Sequence, residues 1–292
     1  MKNMFDPETH KNQHYVPVFW QERFRGPGNV LHRKKRGRIE AANPNKEMSA
    51  DWLYTIFDDK GFPSNILEFG SSKIEANAAA AFRSLDTPGS VGTLEEQIFL
   101  RWFIAFSACR HPDTMSMGHR RAKDLAYVLA DVHSKSLKEF IDSLSHFGLD
   151  AEEATLAYAK CRCLSAEDLL AQAEMIEHMS PTDSALPQQI ALSSETIEQV
   201  FFKLCHHNVT ILDAPAGSTF VLGDTPFAVD LAKGFVVPIS STIALLWAPG
   251  SKEALPDWTR RTATPTEVQT SNRQQIENCL TTVIGPSRAS LT

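Results

Sequence analysis

Thr93-Leu94-Glu95-Glu96-Gln97-Ile98-Phe99-Leu100-Arg101-Trp102-Phe103-Ile104-Ala105-Phe106-Ser107-Ala108-Cys109-Arg110 reads as one helix with a marked start and a marked stop. Thr93 and Glu96 have the spacing of a capping box, in which each side chain satisfies a backbone N–H of the other. His111-Pro112 ends it, because the residue before a proline is pushed out of helical geometry. Between these limits the segment is apolar on nearly every side. That predicts a central helix buried by its neighbours.

The flanking segments supply the neighbours. Upstream, Asn65 is placed to cap a helix over Ile66–Leu85, with Ile74, Ala78, Ala81, Phe82 and Leu85 near helical spacing. Asp86-Thr87-Pro88-Gly89 breaks it. Downstream, further helices are expected at about 114–146, 151–160, 165–178 and 193–206. The character then changes. Val209–Leu212, Thr219–Leu222, Phe235–Ile239 and Ile243–Trp247 are short, β-rich and bounded by Pro, Gly and Asp. A last helix, roughly 264–283, carries Val268, Ile276, Leu280 and Val283. Near the start, Asn29–His32 and Gly37–Glu40 read as strands around a turn. The expected fold is α+β, a mostly helical single domain over 1–292. Its parts are a motif helix and basic hairpin in 1–60, a helical core in 61–206, and a small sheet and last helix in 207–292. The N- and C-terminal segments form a small antiparallel sheet around the helical middle.

Composition excludes several classes. Of 292 residues, 42% are apolar and 22% charged, as in a soluble globular protein. No apolar run reaches the roughly 20 residues that cross a bilayer. The start lacks the apolar core and cleavage site of a secretory signal, so a cytoplasmic location without membrane contact is expected. The net charge of −6 argues against nucleic-acid binding by the whole molecule. The exception is local: His32-Arg33-Lys34-Lys35-Arg36-Gly37-Arg38 holds five cations in seven residues. These suit phosphate contacts, and they equally suit a solvated hairpin tip. Cys109, Cys161, Cys163, Cys205 and Cys279 are odd in number and read as free thiols. No phosphate-binding glycine loop, dinucleotide fingerprint, nucleophile elbow or H-E-x-x-H helix is present.

Four polar points sit at element ends or within apolar patterns. His14-Tyr15 precedes Pro17, at the mouth of a short helix anchored by Phe19, Trp20 and Phe24. A histidine held there suits acid–base chemistry and a structural hydrogen bond alike. Glu68 and Glu75, seven apart, share a helix face. Arg110 ends the central helix, where it complements the dipole, pairs with an acid, or grips a phosphate or carboxylate. Asp224 follows the strand Phe220-Val221-Leu222, as a catalytic group or as the acceptor of an Asx-type turn.

These points coincide with a known pattern. His14-Tyr15-Val16-Pro17-Val18-Phe19-Trp20-Gln21-Glu22-Arg23-Phe24 resembles the "H-Y-V-P-x-F-x-L-x-x-F" signature of a large prokaryotic family labelled domain of unknown function 4238, with Gln21 in place of the usual leucine. Leu67-Glu68 and Ile74-Glu75 resemble its acidic helix. Phe103-Ile104-Ala105 through Arg110-His111-Pro112 resembles its "F-I-A … R-T-P" segment. Phe220–Pro226 resembles "F-x-T-S-D-N-P", Val237–Ser240 resembles "P-L-S", and Ser271-Asn272 matches a late asparagine. The resemblance brings no activity with it, but it groups His14, Arg110 and Asp224 as motif positions.

The expectation is therefore a polar pocket formed by His14, Glu75, Arg110 and Asp224, with Asn272. The chemistry that suits it is hydrolysis of a nucleic acid or nucleotide, in an effector or defence protein. His14, Glu75 and Asp224 are the candidate catalytic groups, with Asp224 also a candidate ligand for a divalent cation. Tyr15, Arg110 and Asn272, with Arg33, Lys34, Lys35 and Arg36 of the hairpin, are the candidate substrate contacts. The alternative is a non-catalytic module that binds a nucleotide, nucleic acid or peptide, its motif residues partly structural.

Overall fold

The computed structural model describes residues 12–51, 53, 56–57, 63–64, 66–147, 149–178, 194–227, 233–250 and 257–292. The fold is α+β, with helices predominating over small sheets. The chain forms two compact units, one of residues 1–111 with 192–292 and the other of residues 112–191.

In the first unit, α1 (Val18–Glu22), α2 (Ile66–Ser84), α3 (Leu94–Cys109) and a helix over Ser194–Cys205 pack against two four-stranded sheets. The capping box of Thr93 and Glu96 starts α3, and eight of its residues are buried. Trp20 of α1 is fully buried against the rings of Phe82 and Phe103, at centroid distances of 5.8 and 5.5 Å. Its indole N–H donates to Pro238 O at 2.9 Å. Arg101 turns inward from α3. Its guanidinium donates to Leu204 O and His207 O and lies over the rings of Trp247 and Trp258. It thereby caps the Leu204 carbonyl at the C-terminus of the Ser194–Cys205 helix and holds the start of the strand that follows. Asn65, the expected cap of α2, lies outside the described residues.

The second unit contains α4 (Pro112–Ala130), α5 (Leu137–Ser145), α6 (Ala151–Arg162) and α7 (Ala166–His178). In chain order the Ser194–Cys205 helix is therefore α8. The unit has its own core of Val132, Phe140, Leu144, Ala154 and Leu169. The expected helix 114–146 is two helices, because Asp131–His133 forms a 3-10 turn and Ser136 with Glu139 opens α5 through a second capping box.

The strands are β1 (Asn12–His14), β2 (Leu31–Lys35), β3 (Arg38–Ala42), β4 (Ser49–Asp51), β5 (Ile56–Phe57), β6 (Pro63–Ser64), β7 (His207–Asp213), β8 (Leu222–Gly223), β9 (Phe235–Pro238), β10 (Ile243–Pro249), β11 (Trp258–Thr262) and β12 (Thr282–Gly285). One four-stranded sheet has the order β3-β2-β12-β8 and is antiparallel throughout, joining the N- and C-terminal segments as expected. The other has the order β11-β7-β10-β9 and contains one parallel pair, β11 with β7. Two short ladders pair β1 with β4 and β5 with β6. The last helix, α9 (Pro265–Asn278), is shorter than the expected 264–283. Cys279 is extended, at φ −66° and ψ 140°, and Val283 lies in β12 instead. Gly223 is required where β8 meets α9, since a Cβ there would stand 2.6 Å from Gln275 O.

Among the described residues, no helix is long and apolar enough to cross a membrane. The five cysteines are free. Burial pushes the Cys109 thiol up to about 12, which makes it inert at neutral pH.

Candidate functional site

Three distant segments meet at the chain's opening motif. The β1–β4 ladder places His14 opposite Ser49. The N–H groups of Tyr15 and Val16 then both donate to Met48 O, at 3.1 and 3.4 Å. Pro17, at φ −55° and ψ 145°, directs the chain into α1. Gln21 is fully buried. Its amide donates to Val16 O at 2.8 Å and Glu47 O at 3.0 Å, tying α1 to the 43–48 loop.

That loop fixes the His14 ring. Nε2 lies 3.2 Å from Pro44 O. A carbonyl only accepts, so Nε2 carries the proton and the lone pair of the neutral ring is on Nδ1. Burial holds the imidazole below its ordinary pKa. The Pro44 carbonyl and the Glu75 carboxylate oppose that fall, and the Arg110 cation adds to it.

Arg110 caps the C-terminus of α3 and is fully buried. Its Nε donates to Tyr15 O at 3.0 Å, and its Nη1 donates to Glu75 Oε1 at 2.6 Å. The guanidinium lies over the Phe106 ring, 5.2 Å from its centroid. Glu75 comes from α2 and keeps 27% of its side chain exposed. Next along the chain, buried His111 meets the Tyr15 ring edge-on at 5.1 Å. A half-buried base, a carboxylate and a compensating cation thus share one corner of the first unit. Arg110 reaches that corner through Glu75 and Tyr15, because its own guanidinium has no exposed surface.

The other candidate groups lie in different networks. Asp224 is fully buried and accepts from the backbone N–H groups of Leu280, Thr281 and Thr282 at 2.8, 2.9 and 3.0 Å. The Thr281 hydroxyl adds a fourth bond at 2.7 Å. These bonds pin the turn from α9 into β12. Donor hydrogens aimed at both carboxylate oxygens compensate the Asp224 charge from within the protein. Among the described residues, no group of three or more His, Cys, Asp or Glu side chains is gathered to hold a metal. Asn272 accepts from Val221 N at 3.0 Å and donates to Thr219 O at 2.8 Å. Gln275, one turn further along, takes Gly223 N at 2.9 Å. Of the five residues expected in one pocket, Glu75 and Arg110 pair beside the backbone of Tyr15, next to His14, and Asp224 and Asn272 brace the sheet of β3, β2, β12 and β8. The side chain of Glu68 lies outside the described residues.

The basic segment is mostly strand. Arg33, Lys34 and Lys35 lie in β2, and Arg36-Gly37 forms the turn. Arg33 bridges Glu40 and Glu47. Glu47, buried and adjacent to the Met48 carbonyl that receives Tyr15, joins the hairpin to the His14 loop. No sequence signal marked it: Asn43-Pro44-Asn45-Lys46-Glu47 reads as an ordinary polar turn.

The family model described as Protein of unknown function (DUF4238) matches residues 12–289. The chain belongs to this family. The DUF4238 span contains every candidate residue named above, from His14 to Asn272. No curated protein and no solved structure matches the chain. A groove of about 410 Å³ runs between β9–β10 and α9, lined by Phe235, Leu246, Thr270 and Ser271 among others. It contains none of His14, Arg110 or Asp224.

Proposed function

We propose that this DUF4238 protein is a hydrolase that cleaves phosphoesters of nucleic acids or nucleotides, with His14 as its general base. The observation that carries this reading is the His14 ring. It is half-buried, fixed in one tautomer by Pro44 O, and electrostatically coupled to the Glu75–Arg110 pair. A neutral imidazole with its lone pair on Nδ1 is competent to take a proton from water at neutral pH. The water oxygen attacks phosphorus as the proton passes to Nδ1. The phosphorus–oxygen bond to the leaving alcohol then breaks, and the imidazolium returns the proton to that oxygen. Glu75 stabilises the imidazolium while it exists, and Arg110 holds Glu75 in place. The hairpin cations supply contacts to phosphate.

The experiment is a cleavage assay on labelled oligonucleotides and on nucleotides with a divalent cation present. His14→Gln is expected to lower turnover by about 10²–10⁴-fold with the circular dichroism spectrum unchanged. Full activity in folded His14→Gln overturns the assignment.

A second reading is favoured by the partners that Arg110 and Asp224 hold. Both spend their hydrogen bonds on the protein itself, as positions that fix a fold do. In that reading the protein is a non-catalytic module that binds a nucleotide, nucleic acid or peptide. Binding without turnover in wild type selects it.

A further inference from the structure

The β2–β3 hairpin holds one guanidinium from two sides in unlike ways. Arg33 Nη1 donates to Glu47 Oε1 at 2.5 Å, and the Glu47 side chain is only 4% exposed. Arg33 Nε and Nη2 donate together to Glu40 Oε1, at 3.1 and 2.6 Å, and Glu40 is 54% exposed. The two contacts differ in permanence. A buried carboxylate that loses its cation is strongly penalised, so Glu47 keeps its hold. An exposed ion pair is weak and screened by salt, so Glu40 is exchangeable.

The register puts more charge on the same face. Arg33 lies opposite Glu40, and the neighbouring pair is Lys35 with Arg38. Side chains two apart on a strand share a face, so Arg33, Lys35 and Arg38 stand together with Glu40 among them. The turn that sets this register has φ 50° at Arg36 and 78° at Gly37, as a two-residue hairpin turn requires. What Glu40 occupies is the two-donor edge of an arginine immobilised from behind, the edge that suits a phosphate.

We propose that Arg33, Lys35 and Arg38 form a binding site for a phosphate-ester oxyanion, and that Glu40 is an internal stand-in which the ligand displaces. This deepens the proposed function by naming where a phosphoester is gripped. It rests on that reading only for calling the ligand a substrate, because binding is measured without turnover. The phosphate belongs to a nucleic-acid backbone or to a free anion.

The test is fluorescence anisotropy with a short labelled single-stranded oligonucleotide, and calorimetry with inorganic phosphate, using the full chain. Glu40→Gln is expected to tighten binding about fivefold. Combining it with Arg33→Lys, which keeps a cation for Glu47 but removes the fork, is expected to cancel that gain. If the Arg33→Lys chain does not fold, Lys35→Ala with Arg38→Ala replaces it. That variant is expected to weaken binding about tenfold and to reduce the salt slope by about 2. The same dependence with inorganic phosphate alone supports the site and assigns it to a free anion. An affinity unaffected by Glu40→Gln, or a gain that survives Arg33→Lys, overturns it. Cycle behaviour as described, with turnover unaffected by His14→Gln, upholds this site and removes the catalytic reading.

Discussion

His14 has a poor environment for a positive charge, and that sets its pH behaviour. Burial lowers its pKa, so between the folded and the ordinary unfolded value the unfolded chain binds more protons. The stability contributed by neutral His14 is present above the ordinary histidine pKa and is lost as pH falls through the lowered value. An NMR titration of the His14 ring is expected to give a midpoint below that of an unfolded histidine, with Nε2 as the protonated nitrogen of the neutral form. Glu75→Gln removes a carboxylate that pulls the pKa up, and is expected to move the midpoint lower still. Asp224 behaves differently, because backbone donors consume it. Asp224→Ala is expected to cost about 2 kcal/mol in thermal unfolding, since it removes the shared acceptor of three backbone N–H groups, that of Thr282 buried, while the His14 midpoint stays in place. Both residues stand out in the sequence by their positions at element ends. Their division of labour does not, because the donors to Asp224 come from residues 280–282, more than fifty positions along the chain.

Element boundaries follow local chemistry more closely than they follow apolar spacing. The box of Thr93 and Glu96 marked the start of α3 correctly, since both bonds lie within four residues. The same signal stands at Ser136 and Glu139, inside the expected helix 114–146, and there it opens a separate helix. Ser136→Ala is expected to destabilise α5 by about 1 kcal/mol, seen as a lower melting temperature. The far end of α9 was misread for a related reason. Val283 fits the helical stripe that begins at Val268, yet its strand pairs with β2 and β8, partners that no local window contains. β11 was invisible for a similar cause: Trp258-Thr259-Arg260-Arg261-Thr262 is polar, and it is held by pairing with β7 and by Arg260 donating to Asp213 at 2.6 and 2.8 Å.

Each of the two units has its own hydrophobic core. All five tryptophans lie in residues 1–111 or 192–292, so their fluorescence reports the first unit alone. Phe140→Ala empties a fully buried position in the second core and is expected to cost that unit about 3–5 kcal/mol. In a denaturant titration, the helical circular dichroism signal should then fall earlier while the tryptophan transition holds its midpoint. A common shift of both signals would show that the units unfold together. The candidate site belongs to the first unit, and so does the hairpin beside it, so the chemistry should survive that substitution. The most direct test of the whole account is cleavage of a labelled oligonucleotide by wild type and by folded His14→Gln, followed across pH. Wild-type turnover is expected to fall on acidification through the lowered His14 pKa, with a loss of about 10²-fold or more in the variant. Equal cleavage by the two proteins, or none by wild type, would contradict it.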